Sequence, residues 1–314
     1  MVISILFIII GFIFLVKGAD FLVEGSSYLA KKIHIPEIVI GLTIISIGTS
    51  MPELFVSITS ALEGYPDMSI GNVVGSNIVN LLFILGASAV LSKIDISRQT
   101  KLIEIPICLV VTAVFILICN FGENITRTEG LFLILLFILF IGYTIIITIK
   151  SKQNINEDNV LEDTTTIFKD ICYIVIGVIA LKVGGDIVVT NAVNVANFFK
   201  LSEKIIGITI LAIGTSLPEL VTSVSAALKG KTDIAIGNIL GSNIFNMLLI
   251  IGVSAVITPI SYNISYNKDL IILFISTLLL WLFTVVPPKN QMSKFKGIIY
   301  VFIYIEYIYC LLFI

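Results

Sequence analysis

The chain has 314 residues, 57% of them hydrophobic and only 13% charged, with a mean hydropathy of +1.09. Soluble domains are about half apolar and about a quarter charged, so this composition excludes a soluble domain and predicts a membrane protein. The formal net charge of -2 gives no sign of a nucleic-acid partner.

A spanning helix takes about 20 apolar residues, so the length accommodates about ten with short connections. Residues 2–30 read as a long first helix, too long for a signal peptide and without a basic start or a small-residue cleavage site. Lys17, Asp20 and Glu24 interrupt it, and the ordinary reading of such charges is snorkelling and local ion pairing. After the polar link Lys31 to Pro36, which holds the lone His34, a second helix carries GLTIISIGTSMPELFVS from Gly41. The acidic turn Glu63 to Asp67 ends it, and a third helix follows with GNVVGSNIVN from Gly71 to Asn80.

Residues 101–120 and 129–149 are plain Ile, Leu and Phe runs that read as scaffold helices. Cys108, Cys119, Cys172 and Cys310 lie singly in apolar runs, without metal or redox spacing, and read as filler. The polar stretch Lys150 to Asp170 divides the chain near its midpoint and is expected to be a linker.

The second half then replays the first. Gly18 and Asp20 return as Gly184 and Asp186, the Gly41 segment returns as GITILAIGTSLPELVTS from Gly207, and GNVVGSNIVN returns as GNILGSNIFN from Gly237 to Asn246. Each pair is 166 residues apart, so the chain reads as a duplicated five-helix unit, residues 1–149 and 171–314, around the linker 150–170. Five is odd, so the second copy enters the membrane from the opposite side. The predicted fold is an all-α membrane protein of two inverted-topology five-helix repeats, an architecture that places substrate sites near the midplane where the repeats meet.

Orientation follows from the basic residues of the connections. With the N-terminus outside, the outer connections hold only Arg127, Lys200, Lys204 and Lys268, and the inner ones hold thirteen Lys and Arg, among them Lys31, Lys32, Lys150, Lys229 and Lys231. Both termini are therefore expected outside a cell membrane and the linker in the cytoplasm. The sequons at Asn124 and Asn263 then fall outside.

The chemistry concentrates on the repeated motifs. Pro52 and Pro218 each lack an amide donor and clash with the carbonyl four residues back, at Gly48 and Gly214, so the helix should break there. Backbone carbonyls freed inside a bilayer are tolerated only when buried in protein or lining a hydrated cavity. Thr49, Ser50, Thr215 and Ser216 add hydroxyls at the breaks, beside Glu53 and Glu219. Ser76 and Asn80 share one helix face, as do Ser242 and Asn246, and glycines at 71, 75, 237 and 241 permit close helix approach. All of these are hard oxygen donors suited to Ca²⁺ and similar cations. Neither glutamate has a Lys, Arg or His in its block, so an intramembrane acid pair here calls for a cation or protons.

The motif GTS-x-PEL followed by GN-xx-GSN in each half resembles the sodium/calcium exchangers of the calcium/cation antiporter superfamily, in their compact prokaryotic form. That resemblance implies ten helices with broken helices 2, 3, 7 and 8 around a central ion site, and long helices 1 and 6 sliding past them. It implies Ca²⁺ on Glu53, Glu219, Thr49 and Thr215, and Na⁺ sites completed by Ser50, Ser76, Asn80, Ser216 and Ser242, with the carbonyls of Ser46 and Ala212 adding ligands. Asn80 and Asn246 stand where relatives carry further acids, which speaks against coupling to K⁺. The expected activity is Ca²⁺ exchange for Na⁺, with a proton-driven Ca²⁺ exchanger as the alternative and a passive cation channel more remote. An intramembrane protease lacks support, since there is no HExxH and nothing around Asp20 or Asp186 to assist catalysis. No enzyme activity, cofactor or protein partner is expected; the partners are the ions and the bilayer.

Overall fold

A computed structural model describes residues 2–64, 67–122, 124–152, 166–198 and 212–313. The described residues are helical apart from short connections and four two-residue strands. Among the described residues seven helices are long and apolar enough to cross a membrane, or eight when one bent pair is counted as a span. In chain order the described helices are α1 (Val2–Lys32), the bent pair α2 (Glu37–Thr49) and α3 (Met51–Leu62), α4 (Met68–Leu91), α5 (Thr100–Asn120) and α6 (Arg127–Lys152). After residues 153–165, which lie outside the described part, come α7 (Ile167–Phe198), α8 (Ala212–Thr215), α9 (Leu217–Leu228), α10 (Thr232–Ile257), α11 (Asn267–Val285) and α12 (Lys294–Phe313).

Two helices that each carry a GSN triplet, α4 and α10, are the most enclosed of the spans, whereas α1 and α6 are covered mainly on one side. Ile3, Leu6, Ile9 and Ile13 of α1 and Leu135, Ile138 and Leu139 of α6 are exposed, as apolar side chains facing lipid would be. Glycines set the closest approaches. A Cβ on Gly18 would lie 2.9 Å from the Gly177 carbonyl, and one on Gly184 would lie 2.8 Å from that of Gly11, so α1 and α7 run antiparallel in backbone contact.

The two small sheets repeat the same exchange of partners. Ile94–Asp95 pairs antiparallel with Gln291–Met292, and Asn124–Ile125 pairs antiparallel with Ile260–Ser261, so a strand of each half caps the other half. Ile94 and Ile260 are 166 residues apart, the spacing of the sequence repeat.

The proline breaks fall where the motifs place them. Ser50, with φ -86° and ψ 10°, separates α2 from α3 at a bend of 49°, and Ser216, with φ -89° and ψ 8°, separates α8 from α9. Pro52 and Pro218 then sit in the first turns of α3 and α9, where a missing amide costs least. The expectation of broken helices 3 and 8 needs correction: α4 and α10 are continuous. Neither contains proline, and each instead widens into π-helix, over Val79–Ile84 and Asn246–Ile250, which re-aims the side chains at residues 80 and 246 without opening the helix.

Three further readings change. The stretch 150–170, read as a linker, overlaps helix at both ends, because α6 continues to Lys152 and α7 begins at Ile167. The scaffold helix α5 holds a fully buried acid, Glu104, which accepts hydrogen bonds from Gln99 Nε2 at 2.9 Å and Tyr143 OH at 3.0 Å. Asp20 and Glu24 of α1 take a distant partner: Lys229, at the end of α9, reaches Asp20 at 2.7 Å and Glu24 at 3.0 Å. A local pair within a helix is seen in α7, between Lys182 and Asp186 at 3.1 Å.

Candidate functional site

The site is built where the two proline breaks face the middles of α4 and α10. Glu53 and Glu219 stand in the first turns of α3 and α9, and each is 1% exposed. A carboxylate in a first turn gains from the helix N-terminal dipole, which offsets part of its burial cost. Each is also reached from the opposite half: Ser50 Oγ donates to Glu219 Oε1 at 2.8 Å, and Ser216 Oγ to Glu53 Oε1 at 3.5 Å. Ser76 of α4 donates to the same Glu53 oxygen at 3.4 Å. The two carboxylates are close enough to repel each other, and no Lys, Arg or His among the described residues pairs with either.

Asparagines fix the breaks from behind. Asn238 donates to Ser223 Oγ at 2.9 Å and accepts from Thr49 Oγ1 at 3.1 Å; its counterpart Asn72 donates to Ser57 Oγ at 3.0 Å and to the Glu53 carbonyl at 3.2 Å. A second set ties α4 to α10. Asn77 Nδ2 donates to the Asn243 carbonyl and Asn243 Nδ2 to the Asn77 carbonyl, both at 3.2 Å. Asn80 Nδ2 reaches Asn243 Oδ1 at 3.1 Å, and Asn246 Nδ2 reaches Asn77 Oδ1 at 2.9 Å.

What these bonds leave over is chemically specific. Glu53 Oε2, Glu219 Oε2, Asn80 Oδ1, Asn246 Oδ1 and Ser242 Oγ are all buried without a protein partner. An unpaired buried polar atom costs about 1–3 kcal/mol, and buried polar groups are nearly always satisfied. Five orphan oxygens on α3, α4, α9 and α10 therefore fit a group that brings positive charge and no lone pairs, as a hard cation does. Among the described residues there is no cluster of three or more His, Cys, Asp or Glu that could hold a metal, so neutral oxygens must supply most of the ligands.

The sequence-predicted residues Glu53, Glu219, Ser50, Ser216 and Ser76 share direct hydrogen bonds, and Thr49 and Thr215 stand beside the two carboxylates. Asn80, Asn246 and Ser242 contribute orphan oxygens. The Ser46 carbonyl is already occupied, by the Ser50 amide at 3.0 Å and the Thr49 hydroxyl at 3.3 Å. Ala212 opens α8, and the preceding repeat segment from Gly207 lies outside the described residues. Asn72, Asn77, Asn238 and Asn243 were not singled out by the sequence reading. Their signal was present, since all four recur at the offset of 166 within the GN-xx-GSN motif.

A cavity of about 780 Å³ reaches the break region along Pro52, Thr215, Pro218, Gly185 and Asp186. The residues related to these by the repeat offset include Pro218, Thr49, Pro52 and Asp20. There Lys229 pairs with Asp20 and Glu24, and Ser225 Oγ donates to Asp20 at 3.1 Å.

Comparison with known proteins identifies the family. Residues 3–146 and 169–313 match the family described as sodium/calcium exchanger protein. The chain is 35% identical to inner membrane protein YrbG of Escherichia coli over 79% of each chain, and 30% identical to sodium/calcium exchanger MaX1 of Methanosarcina acetivorans over 91% of each. Its fold superposes on a solved structure of the sodium-calcium exchanger NCX_Mj, soaked with Na⁺ and Sr²⁺, with a TM-score of 0.85 at 30% identity over 98% of both chains. Two halves that each match one family, on a fold shared end to end with a solved exchanger, make this membrane antiporter a member of the sodium/calcium exchanger family.

Proposed function

We propose that the protein exchanges Ca²⁺ for Na⁺ by alternating access, through a ten-helix pair of inverted repeats, electrogenically and without K⁺. The observation that carries this reading is the set of five orphan oxygens, two of them on carboxylates that lack a basic partner. Glu53 and Glu219 hold Ca²⁺ with the Thr49 and Thr215 hydroxyls, and the serines and asparagines complete Na⁺ sites around them. Because both ions need the same carboxylates, one is released when the other loads, and this is the coupling exchange requires.

Charge counting supplies the electrical prediction. One Ca²⁺ balances the two acids, and Asn80 and Asn246 add oxygen without charge. If more than two Na⁺ load, the Na⁺-bound site is the more positive, so turnover moves net charge. In proteoliposomes, Ca²⁺ uptake should follow an outward Na⁺ gradient in K⁺-free medium, respond to voltage, and fail with a proton or K⁺ gradient alone. Uptake driven by protons with Na⁺ absent would establish the H⁺/Ca²⁺ alternative instead.

Alternating access is supported by the inequality of two repeat-related faces: the one at Asp186 lines a cavity, and the one at Asp20 is bridged by Lys229. With Lys229 on the cytoplasmic side, the orientation that the excess of basic residues supports, this conformer is open outward. A cysteine placed at Asn156 should then be shielded from impermeant reagents in intact cells, and one at Thr126 should label. The reverse pattern would invert the topology.

A further inference from the structure

The amide orientations at the centre of the protein are fixed by logic that starts from the backbone. A carbonyl oxygen can only accept, so the Asn77 side chain must turn its NH₂ toward the Asn243 carbonyl, and Asn243 its NH₂ toward the Asn77 carbonyl. This settles two flips that the oxygen and nitrogen positions alone leave ambiguous. Asn77 Oδ1 then faces Asn246 and Asn243 Oδ1 faces Asn80, and an oxygen there demands a donor. Asn246 and Asn80 must answer with their NH₂ groups. Their own oxygens are turned away from that contact, and these are the two amide oxygens left buried without a partner. All four side chains are at most 1% exposed, so no bulk water can satisfy a reversed amide.

We infer that Asn77 and Asn243, which bind no ion themselves, are the positioning residues that hold Asn246 and Asn80 with their carbonyl oxygens presented to Na⁺. This rests on the exchange reading given above, and extends it to residues of α4 and α10 outside the ion-binding set. Without Asn77 Oδ1, the Asn246 amide is free to reverse and offer NH₂ to a cation, which repels it. Each arm of the device belongs to both repeats, so loss on one arm leaves the other oriented. Ca²⁺, held by the carboxylates, depends little on either amide.

The test is a double-mutant cycle read on Na⁺ affinity. Asn77→Leu keeps approximate volume and removes both side-chain bonds; it should raise the Na⁺ concentration for half-maximal exchange about 3- to 10-fold, the span expected for one lost hydrogen bond. Ca²⁺/Ca²⁺ exchange, measured without Na⁺, should keep its half-saturation within about 2-fold of wild type and shows that the variant is folded. Asn246→Ala should raise the Na⁺ requirement similarly. On the Asn246→Ala background, Asn77→Leu should then add nothing, because the oxygen it orients is gone. Additive effects would show that Asn77 acts on packing alone and would overturn the inference, as would an unchanged Na⁺ requirement in Asn77→Leu. Should Asn77→Leu fail to give folded protein, the mirror cycle of Asn243→Ser with Asn80→Ala carries the same two outcomes. Wild-type flux that ignores Na⁺ would remove the exchange reading and this inference together, whereas Na⁺-coupled wild-type flux with an additive cycle would remove the inference only.

Discussion

Glu53→Gln and Glu219→Gln should each abolish Ca²⁺ transport, by at least about 100-fold, in protein that still purifies as a folded species. The size follows from electrostatics in a buried site. A cation that has shed its water is held by two full charges, and a carboxamide contributes one neutral oxygen in place of one of them. A loss of about 2.7 kcal/mol already corresponds to a hundredfold change. Folding should survive because the substitution removes a charge from two acids that repel each other across the break, and the Ser50 and Ser216 hydroxyls can still donate to a carboxamide oxygen. Flux assays in proteoliposomes, with size-exclusion profiles beside them, measure both halves of this expectation. Near-normal exchange in either variant would place the ion elsewhere.

The second large effect is expected from a side chain added to a glycine. A Cβ at Gly241 would lie 2.7 Å from Leu42 Cα, from the Leu42 carbonyl oxygen and from Ser46 Oγ, so α10 and α2 touch there through backbone. The Ser46 hydroxyl could turn aside, but the Leu42 backbone cannot yield. Gly241→Val should therefore cost about 1–3 kcal/mol or more of stability by overpacking. It should also displace α2 at Ser46, four residues before the break that carries Ser50 to Glu219. Transport should fall more than the loss of folded protein explains. A thermal-stability measurement in detergent together with flux per folded molecule separates the two effects. Unaltered flux in Gly241→Val would show that this helix contact does not set the site.

Much of this arrangement was legible in the chain because the duplication displays it twice. Pro52 and Pro218 announce breaks by a local steric rule, and Glu53 and Glu219 stand out because nothing basic accompanies them. A single spacing of 166 gave the pairing of halves, and the structure repeats it in the reciprocal Asn77 and Asn243 bonds. What stayed hidden depends on contacts between distant segments. Ser76 and Asn80 could be chosen by helical spacing, but the role of Asn77 needs the carbonyl of Asn243 facing it. Lys229 is 209 residues from Asp20 in the chain, so periodicity within α1 could suggest only a local partner. The π-helical turns at Val79–Ile84 and Asn246–Ile250 carry no proline or other local mark, and helices resembling broken ones proved continuous. Glu104 lies in a run that reads as plain scaffold, and its burial comes with Tyr143 and Gln99 closing over it.

The claim on which everything else depends is that one pair of carboxylates serves both ions. Equilibrium Ca²⁺ binding to the purified protein, titrated with Na⁺ at constant ionic strength with choline as the replacement cation, tests it without reference to flux. Wild-type protein should bind one Ca²⁺ at the carboxylate pair, and Na⁺ should displace it competitively, with a dependence steeper than first order in Na⁺ because several Na⁺ replace one Ca²⁺. The double variant Glu53→Gln with Glu219→Gln should bind none. Ca²⁺ binding that is indifferent to Na⁺, or that persists with both carboxylates removed, would contradict the shared site.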